Sequence, residues 1–156
     1  MRDIRFKAVH RGGLLDPRRH RLLAAWAADC AEHVLPLFTV QYPQDDRPQR
    51  AIEAARAWSR GEITVGEART AAIAAHAAAR EAAEGAARAA ARAAGHAAAT
   101  AHMGDHAKGP ALYAVKAVQA AGKTDDARAV DRERAWQRKR LPEEIRALIL
   151  QIGQRE

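Results

Sequence analysis

Apolar residues recur along this chain at three- and four-residue intervals, and alternation over strand lengths is hard to find, so the pattern predicts an all-α protein. Asp16 before Pro17 is an N-cap and first-turn pair that opens a helix. That helix places Leu22, Leu23, Trp26, Cys30 and Val34 on one stripe, and Pro36 ends or kinks it near Leu35. The Pro- and Asp-rich stretch 41–49 is a turn whose Asp45 and Asp46 can cap a second, short helix with Ile52, Ala55 and Trp58 on one face, stopped by Gly61. Thr64 and Glu67 have capping-box spacing and start a third helix running to about Glu84, ended by Gly85. A fourth runs from about Ala86 to Met103.

These two middle helices carry almost no large apolar side chains apart from Ile73, so their facing surfaces are alanine. Small side chains allow close axial approach, and alanine has the highest helix propensity, which predicts a tight antiparallel pair. Gly109-Pro110 restarts the chain as a fifth helix marked by Leu112, Val115 and Val118 and ended by Gly122. Thr124 and Asp125 can cap a charged sixth helix anchored by Val130 and Trp136, and Pro142 opens a last one presenting Ile145, Leu148, Ile149 and Ile152. The expected architecture is a basic arm over 1–15 followed by one multi-helix bundle or array over 16–156, with the alanine-rich pair at its centre. The length of 156 residues suits one core without staples. No exact internal repeat is visible, and a solenoid-like stack of helix pairs remains open.

Composition changes the picture in two respects. The single cysteine, Cys30, cannot form an internal disulfide and fits a reducing, cytoplasmic home. The stretch Arg18 to Ala28 imitates a secretion signal, but its apolar run is short and stops at Asp29, so it reads as helix. The alanine-rich middle is interrupted by Arg69, Arg80, Arg88 and Arg92 too often to span a bilayer. The net charge of +7 sits at the ends, with +5 over residues 1–21, +4 over 128–140 and −2 for the remainder. Basic ends suit nucleic acid and make a nucleic-acid-binding helical protein the alternative function. Neither segment interleaves aromatic residues for base stacking, however, because Phe6 and Trp136 stand alone, and a solvated basic face is the plainer reading.

Histidines carry the remaining chemistry. His102 and His106 are four apart beside Asp105, a spacing that allows a metal pair on a continuous helix and makes a metal-dependent enzyme the third functional reading, behind the other two. Gly104 lies between them and no glutamate of the metalloprotease type intervenes, so structural or partner-facing imidazoles are expected, with no metal and no cofactor. Asp29 and His33, one turn apart, read as an intrahelical ion pair, since the dyad lacks a nucleophile. His76 with Arg80 and Arg92 with His96 are similar one-turn pairs that can present a cationic ridge to an acidic partner. A phosphate-cradling glycine loop, a dinucleotide fingerprint and a paired-carboxylate motif are all missing from the sequence, so no enzyme activity is expected.

Several blocks in order resemble the Imm-5-like family of immunity proteins, small bacterial proteins of polymorphic toxin systems. They are Trp26 to His33 with Leu35 and Phe38; Asp46-Arg47-Pro48 leading to Trp58 and Gly61-Glu62-Ile63; Ala75-His76 through Arg80; and Ala94-Gly95-His96 through His102. His106, Tyr113, Trp136-Gln137 and Leu141-Pro142 complete the set, which covers roughly residues 20–150. The resemblance implies an α-helical cytoplasmic protein that binds and blocks a cognate toxin, without cofactor or catalysis. The polar residues that match its blocks are the expected partner-binding or scaffold positions: Asp29, His33, Arg47, His76, Arg80, His96, His102 and His106. Trp26, Trp58 and Trp136 read as core anchors. Inhibitors of cationic nucleases tend to be acidic, so a charge of +7 points to a toxin with an acidic binding surface, or to a toxin that is no nuclease at all. Exposed alanine ridges would also allow a homodimer.

Overall fold

A computed structural model describes residues 3–122 and 127–150. Its helices are α1 Pro17–Val34, α2 Pro36–Thr39, α3 Arg47–Ser59, α4 Val65–Glu81, α5 Ala86–Ala99, α6 Lys108–Ala121, α7 Ala127–Arg140 and α8 Glu143–Leu150. Among the described residues no strand forms, and the one β-bridge, between Ala8 and Leu15, is isolated.

Local chemistry sets the helix starts. Asp16 accepts a hydrogen bond from the Arg19 amide at 2.9 Å, with Pro17 in the first turn. Thr64 and Glu67 close the reciprocal capping box of α4. Ahead of α3 the cap falls to Asp45, whose carboxylate accepts from the Arg47 amide at 3.1 Å, and Asp46 makes no such bond. Gly85, at φ +112°, turns the chain between α4 and α5 in a conformation that side-chain-bearing residues rarely adopt. The expected Thr124–Asp125 cap and Ile152 lie outside the described residues.

The alanine pairing is present, and α5 is its hub: α1, α2, α3, α4 and α6 all pack on it. Ala75 and Ala79 of α4 and Ala90, Ala91, Ala94, Ala97 and Ala98 of α5 are fully buried. Methyl groups let several helices reach one rod at once, while Phe6, Leu23, Trp26, Phe38, Ile52 and Ile145 fill the rim of the core. Residues 3–15 pack against the helices. The Leu15 amide donates to the Lys7 carbonyl at 2.9 Å, and Phe6 and Leu15 bury themselves over Gly104, where a methyl group would lie 2.7 Å from the Phe6 carbonyl oxygen.

Helix α7 docks differently from its sequence pattern. Val130 and Trp136 are the expected anchors and are half-buried, whereas the fully buried positions are Glu133 and Gln137. The Trp26 indole N–H donates to the Gln137 carbonyl at 3.0 Å, and the Gln137 amide donates to Glu133 and to the Ala111 carbonyl. Polar pairing across helices therefore outweighs the apolar stripe on this element. Among the described residues no helix is long and apolar enough to cross a membrane.

Candidate functional site

The expected site residues separate into two groups. Asp29, His33 and Arg47 hold helices together. Asp29 and Glu32 both accept from Arg56, at 2.9 and 2.6 Å, joining α1 to α3. His33 turns away from Asp29: its Nδ1 lies 2.7 Å from Glu133, and its ring stacks on Trp136 with centroids 3.7 Å apart. The intrahelical Asp29–His33 pair is thus replaced by two interhelical ones, because a buried carboxylate on a neighbouring helix offers a stronger field than a half-buried one already held by Arg56. Arg47 forks onto Asp45 and reaches Glu81 of α4.

His76, Arg80 and His96 instead converge on an open hollow of about 540 Å³ between α4, α5 and α6, together with Ile73, Arg92 and Tyr113, and His106 meets His96 beside it. The His76 and His96 rings meet edge to face, 5.0 Å apart. His96 lies parallel to Tyr113 at 5.3 Å, and its Nδ1 is 3.3 Å from that of His106. The Arg92 guanidinium donates to His76 Nδ1 at 3.2 Å.

Two glycines make room for these rings. A methyl group on Gly95 would come within 2.7 Å of the His76 ring, and one on Gly109 within 2.6 Å of His96 Cγ. Glycine costs a helix interior about 1 kcal/mol relative to alanine. In an α5 otherwise made almost wholly of alanine and arginine, Gly95 is the gap into which an imidazole fits.

The electrostatics are one-sided. Burial first, then Arg92, His106 and Arg80, lowers the His76 pKa to about 4. Burial first, then His76, His106 and Arg92, does the same for His96. Among the described residues no carboxylate lines the hollow. Both rings are therefore neutral at pH 7, next to two permanent cations.

The signal that sequence reasoning missed is Gly95 itself, a residue out of place in an alanine helix, together with Arg92 and Tyr113 as members of the group. His102 does not share a helix face with His106, because α5 ends at Ala99 and His106 sits on the 3-10 turn Gly104–Ala107. His102 lines a separate small hollow with His10, His20 and Trp58. There the His20 Nε2–H donates to the Thr100 carbonyl at 2.6 Å and the ring leans on Trp58, which is half-buried. Among the described residues no group of three or more His, Cys, Asp or Glu side chains is placed to hold a metal ion. Much of the basic N-terminal charge is engaged internally: Arg5 by Asp3, Arg19 by Asp16 and Arg18 by Glu144.

Fold and site together define a small all-helical protein whose most developed polar feature is a cationic, imidazole-lined surface basin. The chain belongs to the family described as Imm-5 like putative immunity protein, whose sequence profile it matches over residues 13–144. Comparison with curated proteins and with solved structures returns no match.

Proposed function

We propose that this protein is the immunity partner of a bacterial toxin, acting in the cytoplasm by stoichiometric binding, without catalysis and without a cofactor. Family membership across residues 13–144 is the observation that carries the reading. The basin supports it by supplying a contact face: His76, Arg80 and His96, with Arg92 and Tyr113, share a surface on three helices whose backs rest on the alanine core, and His106 meets His96 from the 3-10 turn. A rigid scaffold under an open polar face suits protein recognition, because little order has to be gained on binding. Asp29, His33 and Arg47 then serve as scaffold.

The test is co-expression with the product of the adjacent gene, expected to be the toxin. Protection of the host cell and co-elution of the two proteins in a 1:1 complex are expected. Unrelieved toxicity, with the proteins eluting separately, would reject the reading. Loss of protection on the double substitution Arg80→Gln, Arg92→Gln, with the thermal midpoint unchanged, is expected if the basin is the contact face.

A further inference from the structure

The basin continues beyond its histidines. A second hollow of about 370 Å³, between α5 and α6, shares Arg92 and Tyr113 with the first and adds Arg88 and Lys116. The two form one furrow across α4, α5 and α6. Its cations differ from seven of the arginines elsewhere in the molecule. Arg5, Arg18, Arg19, Arg47, Arg50, Arg56 and Arg60 each grip a carboxylate. In the furrow, Arg88 reaches Glu84 at 3.3 Å but directs its other donors to the Ala79 and Ala82 carbonyls. Arg92 donates to an imidazole, Lys116 lies 4.9 Å from the Tyr113 ring centre, and Arg80 has no carboxylate partner among the described residues. Guanidinium forks match carboxylates in bidentate geometry, and two of them flank this hollow with that capacity unused.

We propose that the furrow is a cradle for an acidic segment of the partner protein, with one carboxylate seated between Arg80 and Arg92, and that seating it draws a proton from solvent onto His76. The inference rests on the immunity reading and specifies its partner chemistry.

The groups that face His76 are Arg80 on its own helix, Arg92 and His96 on α5, His106 on the 3-10 turn and Tyr113 on α6. None of them is an acid. In the free protein this ring is neutral, and its Nδ1 lone pair accepts from Arg92. A carboxylate arriving beside it reverses the local field and favours the imidazolium. The proton comes from bulk water and takes the Nδ1 lone pair. Arg92 must then release that nitrogen, which frees its N–H donors for the incoming anion. Lys116, at the other end of the furrow, is placed for a second acidic side chain.

The experiment is calorimetric titration of the full chain with an end-blocked octaglutamate peptide, with octaglutamine as control, at about pH 5.5 and about pH 7.5 in buffers of different ionisation enthalpy. Octaglutamate is expected to bind about threefold to tenfold more tightly at the lower pH, with net proton uptake, as the bound carboxylate returns His76 toward its ordinary range. Octaglutamine is expected to bind at neither pH. Arg92→Gln should weaken binding at least about tenfold, His76→Gln should flatten the pH dependence, and Arg134→Gln on α7, outside the furrow, should change nothing. Equal affinity at both pH values, zero proton uptake, or indifference to Arg92→Gln would overturn the proposal. So would equal loss of affinity in the Arg134 variant, which would mark the peptide as a probe of general positive charge only. Capture of the neighbour-encoded toxin with undiminished affinity by the Arg80→Gln, Arg92→Gln chain would sink the cradle and leave the immunity reading intact. A chain that binds octaglutamate but no such toxin would do the reverse.

Discussion

Two imidazole settings in this molecule differ by one carboxylate. At the α1–α7 joint His33 stacks on Trp136 and meets Glu133, whose residue is only 4% exposed. In the basin His96 lies on Tyr113 with similar parallel geometry, yet its ring nitrogen faces another imidazole, and the neighbouring charges are Arg80 and Arg92. Where the chain supplies its own acid, the histidine becomes a joint between helices. Where it supplies none, the same ring pairing leaves a positive field, and burial of the rings beside that field costs the protein stability in acid.

The largest expected effect follows from that cost. His76 and His96 have pKa values near 4 in the fold, against about 6.5 in an unfolded chain. Their contribution is fully present above about pH 6.5. It is lost as pH falls toward 4, because the unfolded chain binds protons there that the folded chain refuses. Half-exposed rings are partly screened, so the loss is of order 2–3 kcal/mol for the pair. Burial lowers the His20 pKa as well, which adds to the loss in the same direction. Urea unfolding from pH 7 down to about 4.5 measures the slope, and the double substitution His76→Gln, His96→Gln should reduce it. A slope unchanged by that substitution would remove the contrast between the two settings.

The second effect lies on the α7 side. Glu133→Ala withdraws the acceptor from His33 Nδ1 and from the Gln137 amide. His33 can return to water, and Gln137 keeps the Ala111 carbonyl, so the expected loss is about 1–3 kcal/mol rather than the larger cost of a wholly stranded buried charge. Amide exchange should speed up across residues 127–140 while α5 keeps its protection. Uniform acceleration over the whole chain would contradict a local joint.

Helix starts were legible in the sequence because they are local devices: Asp16-Pro17 and Thr64 to Glu67 act within one turn. The alanine seam was legible because it is a composition. The buried face of α7 was not, since Glu133 and Gln137 look like solvent residues until His33 and Trp26 arrive from more than ninety positions away. The basin lay between these cases. His76 with Arg80 and Arg92 with His96 are visible as one-turn pairs, but their convergence requires α5 to fold back on α4, and Tyr113 joins only through α6. The His102–His106 spacing suggested a shared face that the end of α5 at Ala99 cancels.

The smallest effect on stability carries the sharpest test of the basin. Gly95→Ala adds a methyl group 2.7 Å from the far end of the His76 side chain, which can swing outward to make room. The helix gains up to about 1 kcal/mol in propensity and loses the packing of the displaced ring, so the net change should stay within about 1 kcal/mol. Partner binding should nonetheless weaken, because His76 no longer occupies the wall it shares with Arg92. Gly109→Ala meets His96 at Cγ and Cβ, the root of the side chain, where no rotation relieves the clash, so it should cost more stability for the same added methyl. If Gly95→Ala destabilises the fold as much as Gly109→Ala does, the gap at Gly95 serves helix packing and not the placing of an imidazole. If the two separate as expected, with binding lost in a chain that melts normally, the free protein holds the His76 ring in place for a contact that lies outside its own fold.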